Sequence, residues 1–307
     1  MANYIINPLH PIFAAELIGA DLTQPPGKEL VEVVENAMAK YGVLIIRDAR
    51  ITDEQQIIFS RAFGPLEIPS RPRSATVPAT RPRISPMLFA AGNIDMNGNI
   101  RPYDRTGQNL AKGAERFHTD SSFHSMPTKW SLLLGHDTPP SSAGGDTLFV
   151  DARAAYDDLP QAMKMRIEEL IGLHDFWRGR QLAGLKGEIT PEMRKSIPYG
   201  TIEHPLVRTM PYGRKTLFIG GHCYGVKGMS EADGRALIEE LYAHATQEKY
   251  IYRHHWKQWD LTIWDNRCTM HAATPLFSDD YRRDMRRTTI NEYGPETSAI
   301  EAMGLAV

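Results

Sequence analysis

Glu115-Arg116-Phe117-His118-Thr119-Asp120 and Trp264-Asp265-Asn266-Arg267-Cys268-Thr269-Met270-His271 are the stretches that decide how this chain reads. In an extended segment, side chains two residues apart point to the same side, so His118 and Asp120 can converge on one point. His271 offers a second imidazole from far along the chain. Two histidines and one carboxylate on one face of an octahedron leave three positions open, the arrangement of non-haem Fe(II) oxygenases. Arg283 and Arg287 follow within Arg282-Arg283-Asp284-Met285-Arg286-Arg287-Thr288-Thr289, where they are suited to hold acidic ligands beside such a metal. A lone His-x-Asp carries little weight in a chain with 11 histidines. Its plain alternative is a hydrogen-bonded loop histidine next to a capping aspartate. The weight lies in the ordered set: His-Thr-Asp, then Gly144-Gly145-Asp146-Thr147, then Trp-Asp-Asn-Arg with its histidine, then the paired arginines.

Around that set the composition is that of an ordinary globular chain. The 307 residues are 42% hydrophobic and 23% charged, enough for a real core in one large domain or two small ones. A net charge of -2 gives no reason to expect nucleic acid or an acidic membrane as partner. No apolar run approaches the ~20 residues of a membrane helix, and the N-terminus lacks a basic region followed by an apolar stretch. Cys223 and Cys268 are the only cysteines, too few for a disulfide scaffold and without the spacing of a Cys-rich zinc site. A cytoplasmic protein is the expectation.

Apolar spacing predicts a helix over Lys28–Tyr41, ended by Gly42, and a buried strand at Val43–Ile46. Thr52 and Gln55 form a capping-box signature opening a helix through Phe59 toward Gly64. Residues 65–86, with Arg71, Arg73, Arg81 and Arg83 among prolines, read as a solvated loop or as a flap beside the site. A strand over Met87–Ile94 and a polar, lid-like stretch over Arg101–Glu115 follow. Further strands are expected at Trp130–Gly135, Thr147–Val150, His204–Thr209, Thr216–Gly220, Lys249–His255, Leu261–Trp264 and Arg286–Asn291. Helices are expected at Ala152–Tyr156, Gln161–Gly172 and Glu231–Ala245, the last capped by Ser230. Residues 178–200 read as an insertion without strong periodicity. Many short strands, few helices and no alternating βα pattern argue against a doubly wound sheet and favour a mainly β sandwich with flanking α-helices. The absence of a repeat or a second composition class suggests one domain over residues 1–307.

At these residues the chain resembles the Fe(II)/2-oxoglutarate dioxygenases typified by taurine dioxygenase and 2,4-dichlorophenoxyacetate dioxygenase. The resemblance runs from Asn7-Pro8-Leu9-His10-Pro11 to the arginine pairs. Asp151–Asp157, His204–Thr209 and Tyr252–Trp256 look closest to the aryloxyalkanoate branch. It implies a double-stranded β-helix (jelly roll), with His118, Asp120 and His271 as metal and catalytic residues. The cofactors implied are Fe(II), 2-oxoglutarate and O2. Motif matching gives the far carboxylate of 2-oxoglutarate to Arg283, with the Thr147 hydroxyl as second donor, and the anionic group of the prime substrate to Arg287. Arg282 and Arg286 form an identical pair one residue out of step; a strand reverses facing over that step, so both pairs cannot point inward. The 283/287 pair is preferred because Arg287 begins the family's Arg-x-Thr ending.

His222 is a candidate wall of the substrate pocket, or else a buried hydrogen-bonded histidine. Asp265 and Asn266 are expected to fix the loop presenting His271, while Phe117, Trp256 and Trp264 line an aromatic pocket or simply fill the core. The resemblance implies hydroxylation of a small anionic organic substrate, coupled to succinate and CO2 formation. For an aryloxyacetic acid the hydroxylated carbon bears an ether oxygen, and the product collapses to a phenol and glyoxylate. Asn99 stands where the herbicide branch carries lysine, which points to a changed pocket. Taurine or another alkylsulfonate is the alternative substrate; a zinc-dependent hydrolase and a non-catalytic acid-binding protein are alternatives of other classes. Family members often form homo-oligomers, and one is expected here.

Overall fold

The computed structural model describes residues 3–69, 83–95, 97–101, 110–186, 188–196, 198–277 and 279–297. The first half runs β1 (Ile5–Pro8), β2 (Ala15–Ile18), α1 (Lys28–Tyr41), β3 (Val43–Ile46), α2 (Asp53–Arg61), β4 (Phe89–Ala90), β5 (Thr128–Asp137) and β6 (Thr147–Asp151). Next come α3 (Ala152–Asp157), α4 (Gln161–Ile167), β7 (Ile171–His174), α5 (Phe176–Leu182), α6 (Pro191–Ser196), β8 (Ile202–Pro205), β9 (Val207–Thr209), β10 (Lys215–Leu217) and β11 (Cys223–Val226). The last part holds α7 (Glu231–Ala245), β12 (Ile251–His254), β13 (Leu261–Asp265), β14 (Thr269–Ala273) and β15 (Asp284–Asn291).

Seven strands form one sheet in the order β1-β2-β3-β13-β5-β15-β4, and a smaller sheet runs β12-β6-β14. Period-two alternation divides the large sheet into two apolar faces. Leu44, Ile46, Leu132, Leu134, Ile263 and Ile290 face outward, where α1 and α2 cover them with Leu30, Val34, Met38, Ile57 and Phe59. Val43, Ile45, Leu133, Trp264 and Met285 face inward, against Phe149 of β6 and Trp256 just past β12. The small sheet is covered in turn by α3 and α7, through Ala155, Leu237, Ile238 and Leu241 packed on Val150 and Met270. The molecule is therefore mostly β, with helices on the outer faces of two apposed sheets.

Local signals act where they are strong. Gly42 takes φ 69° and its N–H closes α1 on Met38 O, a left-handed turn that glycine adopts without strain. The Thr52 hydroxyl accepts from Gln55 N, and the Gln55 side chain accepts from Thr52 N, so both halves of the box form. Ser230 caps α7 by accepting from Asp233 N.

Several expectations need correction. The helix begun at Gln161 stops at Ile167, and Ile171–His174 is instead a strand, paired with β8 and β11. Its partners lie beyond the reach of a local window, and four residues beside a helix carry no period of their own. Residues 178–200 hold the end of α5 and all of α6. Leu206 breaks the expected strand over His204–Thr209 into β8 and β9, and Met87–Ile94 contributes only the short β4. Of the arginine- and proline-rich stretch, residues 70–82 lie outside the described residues, as do 102–109 of the lid-like stretch; Leu110–Glu115 is a 3-10 helix.

Candidate active site

His118 and His271 are placed by backbone. His118 N donates to His271 O at 2.9 Å and His271 N to His118 O at 2.8 Å, so the rings stand side by side with centroids 4.3 Å apart. On β14, Met270 faces the helical side and His271 the sheet interior, with its ring 4.8 Å from that of Trp264. Arg116 O lies 2.9 Å from His118 Nδ1. A carbonyl can only accept, so Nδ1 carries the proton and Nε2 keeps its lone pair. One donor atom from each of His118, Asp120 and His271 lies within 4.8 Å of the others.

Asp120 is placed by side chains. Ser131 Oγ donates to Asp120 Oδ2 at 2.7 Å, and Arg287 Nη1 to Oδ1 at 2.5 Å. Asn266 Nδ2 donates to Ser131 Oγ, while Asn266 Oδ1 accepts from Asp120 N and from Trp264 Nε1. Asn266 thus orients Asp120 and also ties Trp264 and Lys129 O at the start of the loop before His271. Asp265 serves that loop: its carbonyl accepts from Cys268 N and Thr269 Oγ1, and its carboxylate holds Arg267 and Trp130 Nε1.

Electrostatics suit these three to a cation. Burial would raise the Asp120 carboxyl, but Arg287, then His271 and His118, hold it well below the usual range. Burial, with the neighbouring His118, pulls His271 down to about 3. Burial likewise lowers His118. At neutral pH the set is two neutral imidazoles and a carboxylate, the protonation that metal ligation requires. Its donors fit Fe(II) in number, type and spacing. His271 Nδ1 is buried with no hydrogen-bond partner among the described residues, which leaves its Nε2, 3.8 Å from Asp120 Oδ2, on the site side.

The two arginine pairs separate cleanly. Arg282 is exposed and reaches Asp137 and Gly98 O, and Arg286 is held by Asp53 and Asp284 toward α2. Arg287 shares the inner face with Met285 and lies opposite Phe89 of β4, its guanidinium 4.9 Å from that ring. Arg283 is fixed by its N–H to Asn93 Oδ1 at 2.7 Å and by Nη1 to Ala91 O at 2.8 Å. A Cβ on Gly145 would sit 3.5 Å from Arg283 Nε, so the glycine turn before Thr147 lies against this guanidinium. Burial pulls Arg283 down to about 10, and among the described residues no carboxylate pairs with it. Thr147 is buried and its Oγ1 accepts from Trp256 Nε1 at 3.0 Å, which leaves the hydroxyl proton for another acceptor.

His222 is buried beside the site, its ring 5.7 Å from that of His118 and stacked 6.3 Å from Phe176. Burial, then His118 and Arg180, lower it well below an ordinary histidine. Phe123, Phe176, Trp177 and Tyr199 form an aromatic cluster on this side. Trp256 and Trp264 are core residues, and Phe117 packs against the α3–α7 core. Asn99 is exposed in a turn tied by Asp95. The sequence alone does not reveal Ser131, which no motif marks.

The family described as "Taurine catabolism dioxygenase TauD, TfdA family" matches residues 5–289. The chain belongs to this family. As a TauD/TfdA dioxygenase it is an oxidoreductase that depends on Fe(II), 2-oxoglutarate and O2. It is 37% identical over 296 residues to an alpha-ketoglutarate-dependent 2,4-dichlorophenoxyacetate dioxygenase of Cupriavidus pinatubonensis, covering 94% of this chain and 97% of that one. It is 33% identical over 276 residues to an (S)-phenoxypropionate/alpha-ketoglutarate-dioxygenase of Sphingobium herbicidovorans, covering 88% and 89%. Among solved structures, AAD-2 in complex with Mn(II) and N-oxalylglycine superposes with a TM-score of 0.83 at 35% identity, over 96% of this chain and 99% of that one. A taurine dioxygenase from Burkholderia xenovorans gives 0.74 at 27% identity, over 95% and 90%. Membership in this dioxygenase family sets aside the zinc hydrolase and the non-catalytic binding protein.

Proposed function

We propose that this TauD/TfdA dioxygenase hydroxylates an aryloxyalkanoate such as 2,4-dichlorophenoxyacetate at the carbon bearing the ether oxygen, giving a phenol and glyoxylate. The observation that carries the reading is the convergence of His118, Asp120 and His271 within 4.8 Å. Those three residues would hold the metal, which when bound supplies the redox chemistry that couples O2 and 2-oxoglutarate to substrate hydroxylation, with succinate and CO2 as co-products. Arg283 would form a bidentate pair with the far carboxylate of 2-oxoglutarate, and the Thr147 hydroxyl would donate to the same group. Arg287, already at Asp120, would present its remaining N–H groups to the substrate carboxylate and so fix the neighbouring carbon at the metal. His222, neutral and stacked on Phe176, would form a wall of the aryl pocket. Relatives that act on aryloxy acids favour this substrate class over alkylsulfonates.

The same reading makes the apposed sheets a double-stranded β-helix in a single domain, working as a homo-oligomer in the cytoplasm. Among the described residues no helix is long and apolar enough to cross a membrane. Succinate release from 2-oxoglutarate is the test, with phenoxyacetate, 2,4-dichlorophenoxyacetate, 2-phenoxypropionate enantiomers and taurine as substrates. Stimulation by an aryloxy acid with stoichiometric phenol supports the reading; stimulation by taurine alone would replace it with the sulfonate reading.

A further inference from the structure

The Thr147 hydroxyl is bonded to a neighbour that can only donate. Thr147 opens β6 and pairs with His254 of β12 on one side and Ala273 of β14 on the other, so its backbone is held from both edges. Two residues beyond His254, Trp256 brings its indole back to this point, and Nε1 donates to Thr147 Oγ1 at 3.0 Å. Both side chains are buried. The indole has little room to shift. A Cβ on Gly135 of β5 would fall 3.4 Å from its Cε3, and the His254 ring stands edge-on to it with centroids 4.6 Å apart. Trp256 belongs with Leu133, Phe149 and Met285 to the core between the two sheets, so the position of its N–H is set by packing.

The sense of this bond follows from the two groups. An indole N–H has no lone pair to offer, whereas a hydroxyl has one proton and two lone pairs. Trp256 therefore occupies a lone pair of Thr147 and leaves the proton free to be donated. Among the described residues Thr147 Oγ1 has no hydrogen-bond partner besides this indole, and a buried hydroxyl proton without an acceptor is unfavourable. Arg283, against the glycine turn before Thr147, can likewise only donate. The two side chains assigned to the far carboxylate of 2-oxoglutarate thus offer it donors alone, and an ionised carboxylate, which only accepts, satisfies both. Donation to a carboxylate also makes the hydroxyl oxygen a better acceptor, so the indole bond and the carboxylate bond strengthen each other.

We propose that Trp256 is a positioning residue for 2-oxoglutarate, which by donating to Thr147 Oγ1 holds that hydroxyl in the donor sense the far carboxylate needs. The proposal rests on the reading that Thr147 and Arg283 bind this carboxylate. The test is a double-mutant cycle on N-oxalylglycine binding, followed by calorimetry on Mn(II)-loaded protein without turnover. Thr147→Val should weaken N-oxalylglycine ~10-fold, the scale of one hydrogen bond to a charged group. Trp256→Phe keeps an aromatic ring but removes the donor; it should weaken N-oxalylglycine ~3-fold or more and leave Mn(II) affinity unchanged. In the Thr147→Val background the same substitution should change nothing. A general loosening of the core would weaken binding equally in both backgrounds, and that result overturns the proposal, as does an unchanged affinity in Trp256→Phe alone. A second measurement does not depend on that variant folding. Of the five tryptophan indole N–H resonances of Zn(II)-loaded protein, the one moved most by Thr147→Val should shift downfield when N-oxalylglycine binds the wild type; a resonance that stays in place overturns the proposal. If the wild type does not bind N-oxalylglycine, or Thr147→Val binds it as tightly, the cosubstrate site itself is misread and the proposal falls with it.

Discussion

His118 and His271 exchange backbone hydrogen bonds in both directions, at 2.9 and 2.8 Å, across an isolated antiparallel bridge. Residues paired this way lie with their side chains on one face of the ladder, and the imidazoles inherit their separation from the backbone. Asp120 has no such frame. Its carboxylate is oriented by Ser131 and Arg287, which are themselves side chains. The separation of the two imidazoles is set by backbone, and the carboxylate is set by side chains.

Ser131→Ala should therefore act on metal affinity rather than on fold. It removes the bond to Asp120 Oδ2 and the anchor of Asn266 together. Groups that orient a ligand typically account for ~10- to 100-fold in metal affinity. Mn(II) binding followed by electron paramagnetic resonance should show a loss of that size, with little change in Tm.

Arg283→Ala should raise the KM for 2-oxoglutarate by ~10-fold or more, since a charge-assisted fork is lost. Arg286→Ala should leave that KM alone and lower stability instead, because Asp53 and the buried Asp284 lose their shared cation. Initial rates against 2-oxoglutarate, beside thermal melts, check both. The opposite pattern would assign the site to the other arginine pair.

Arg287→Leu should weaken the prime substrate strongly and 2-oxoglutarate weakly. It should also raise the Asp120 carboxyl, whose ordinary depression depends on this guanidinium more than on either histidine. Calorimetry with phenoxyacetate and with N-oxalylglycine, on the same Mn(II)-loaded sample, separates the two effects.

His174 predicts acid sensitivity outside the site. Burial, with His204 and Arg208 nearby, holds its folded value at about 3, below the 6.5 of an unfolded chain. Below pH 6.5 the unfolded chain takes a proton that the folded one refuses until near pH 3, so stability falls as pH falls through this window. At pH 5 its share is about 2 kcal/mol. Among the described residues both ring nitrogens lack hydrogen-bond partners, so His174→Phe should keep the fold at pH 7. Urea midpoints at pH 7 and pH 5 should differ less in the variant than in the wild type.

Helices with caps and an apolar face were legible: α1 with Gly42, α2 with Thr52 and Gln55, and α7 with Ser230 are set by residues within a turn of each end. Strands were legible where the run was long or apolar, as in β5 and β13. β7 and β14 were not, because each has four or five residues and owes its existence to partners distant in sequence. The triad was readable as residue types in order, since His-x-Asp needs only an extended backbone. Which arginine pair turns inward was open until the register of β15 on β5 was known, with its irregularity between Asp284 and Met285. Ser131 carries no motif, and only packing brings it to Asp120.

In the proposed site His118, Asp120 and His271 would hold Fe(II), with 2-oxoglutarate chelated beside Arg283. Anaerobic titration of metal-free protein with Fe(II), then 2-oxoglutarate, tests it most directly. A visible charge-transfer band should appear, saturate at one 2-oxoglutarate per chain, shift when an aryloxy acid is added, and be absent in Asp120→Ala. Iron binding without any such band, or a band that Asp120→Ala leaves intact, would contradict it.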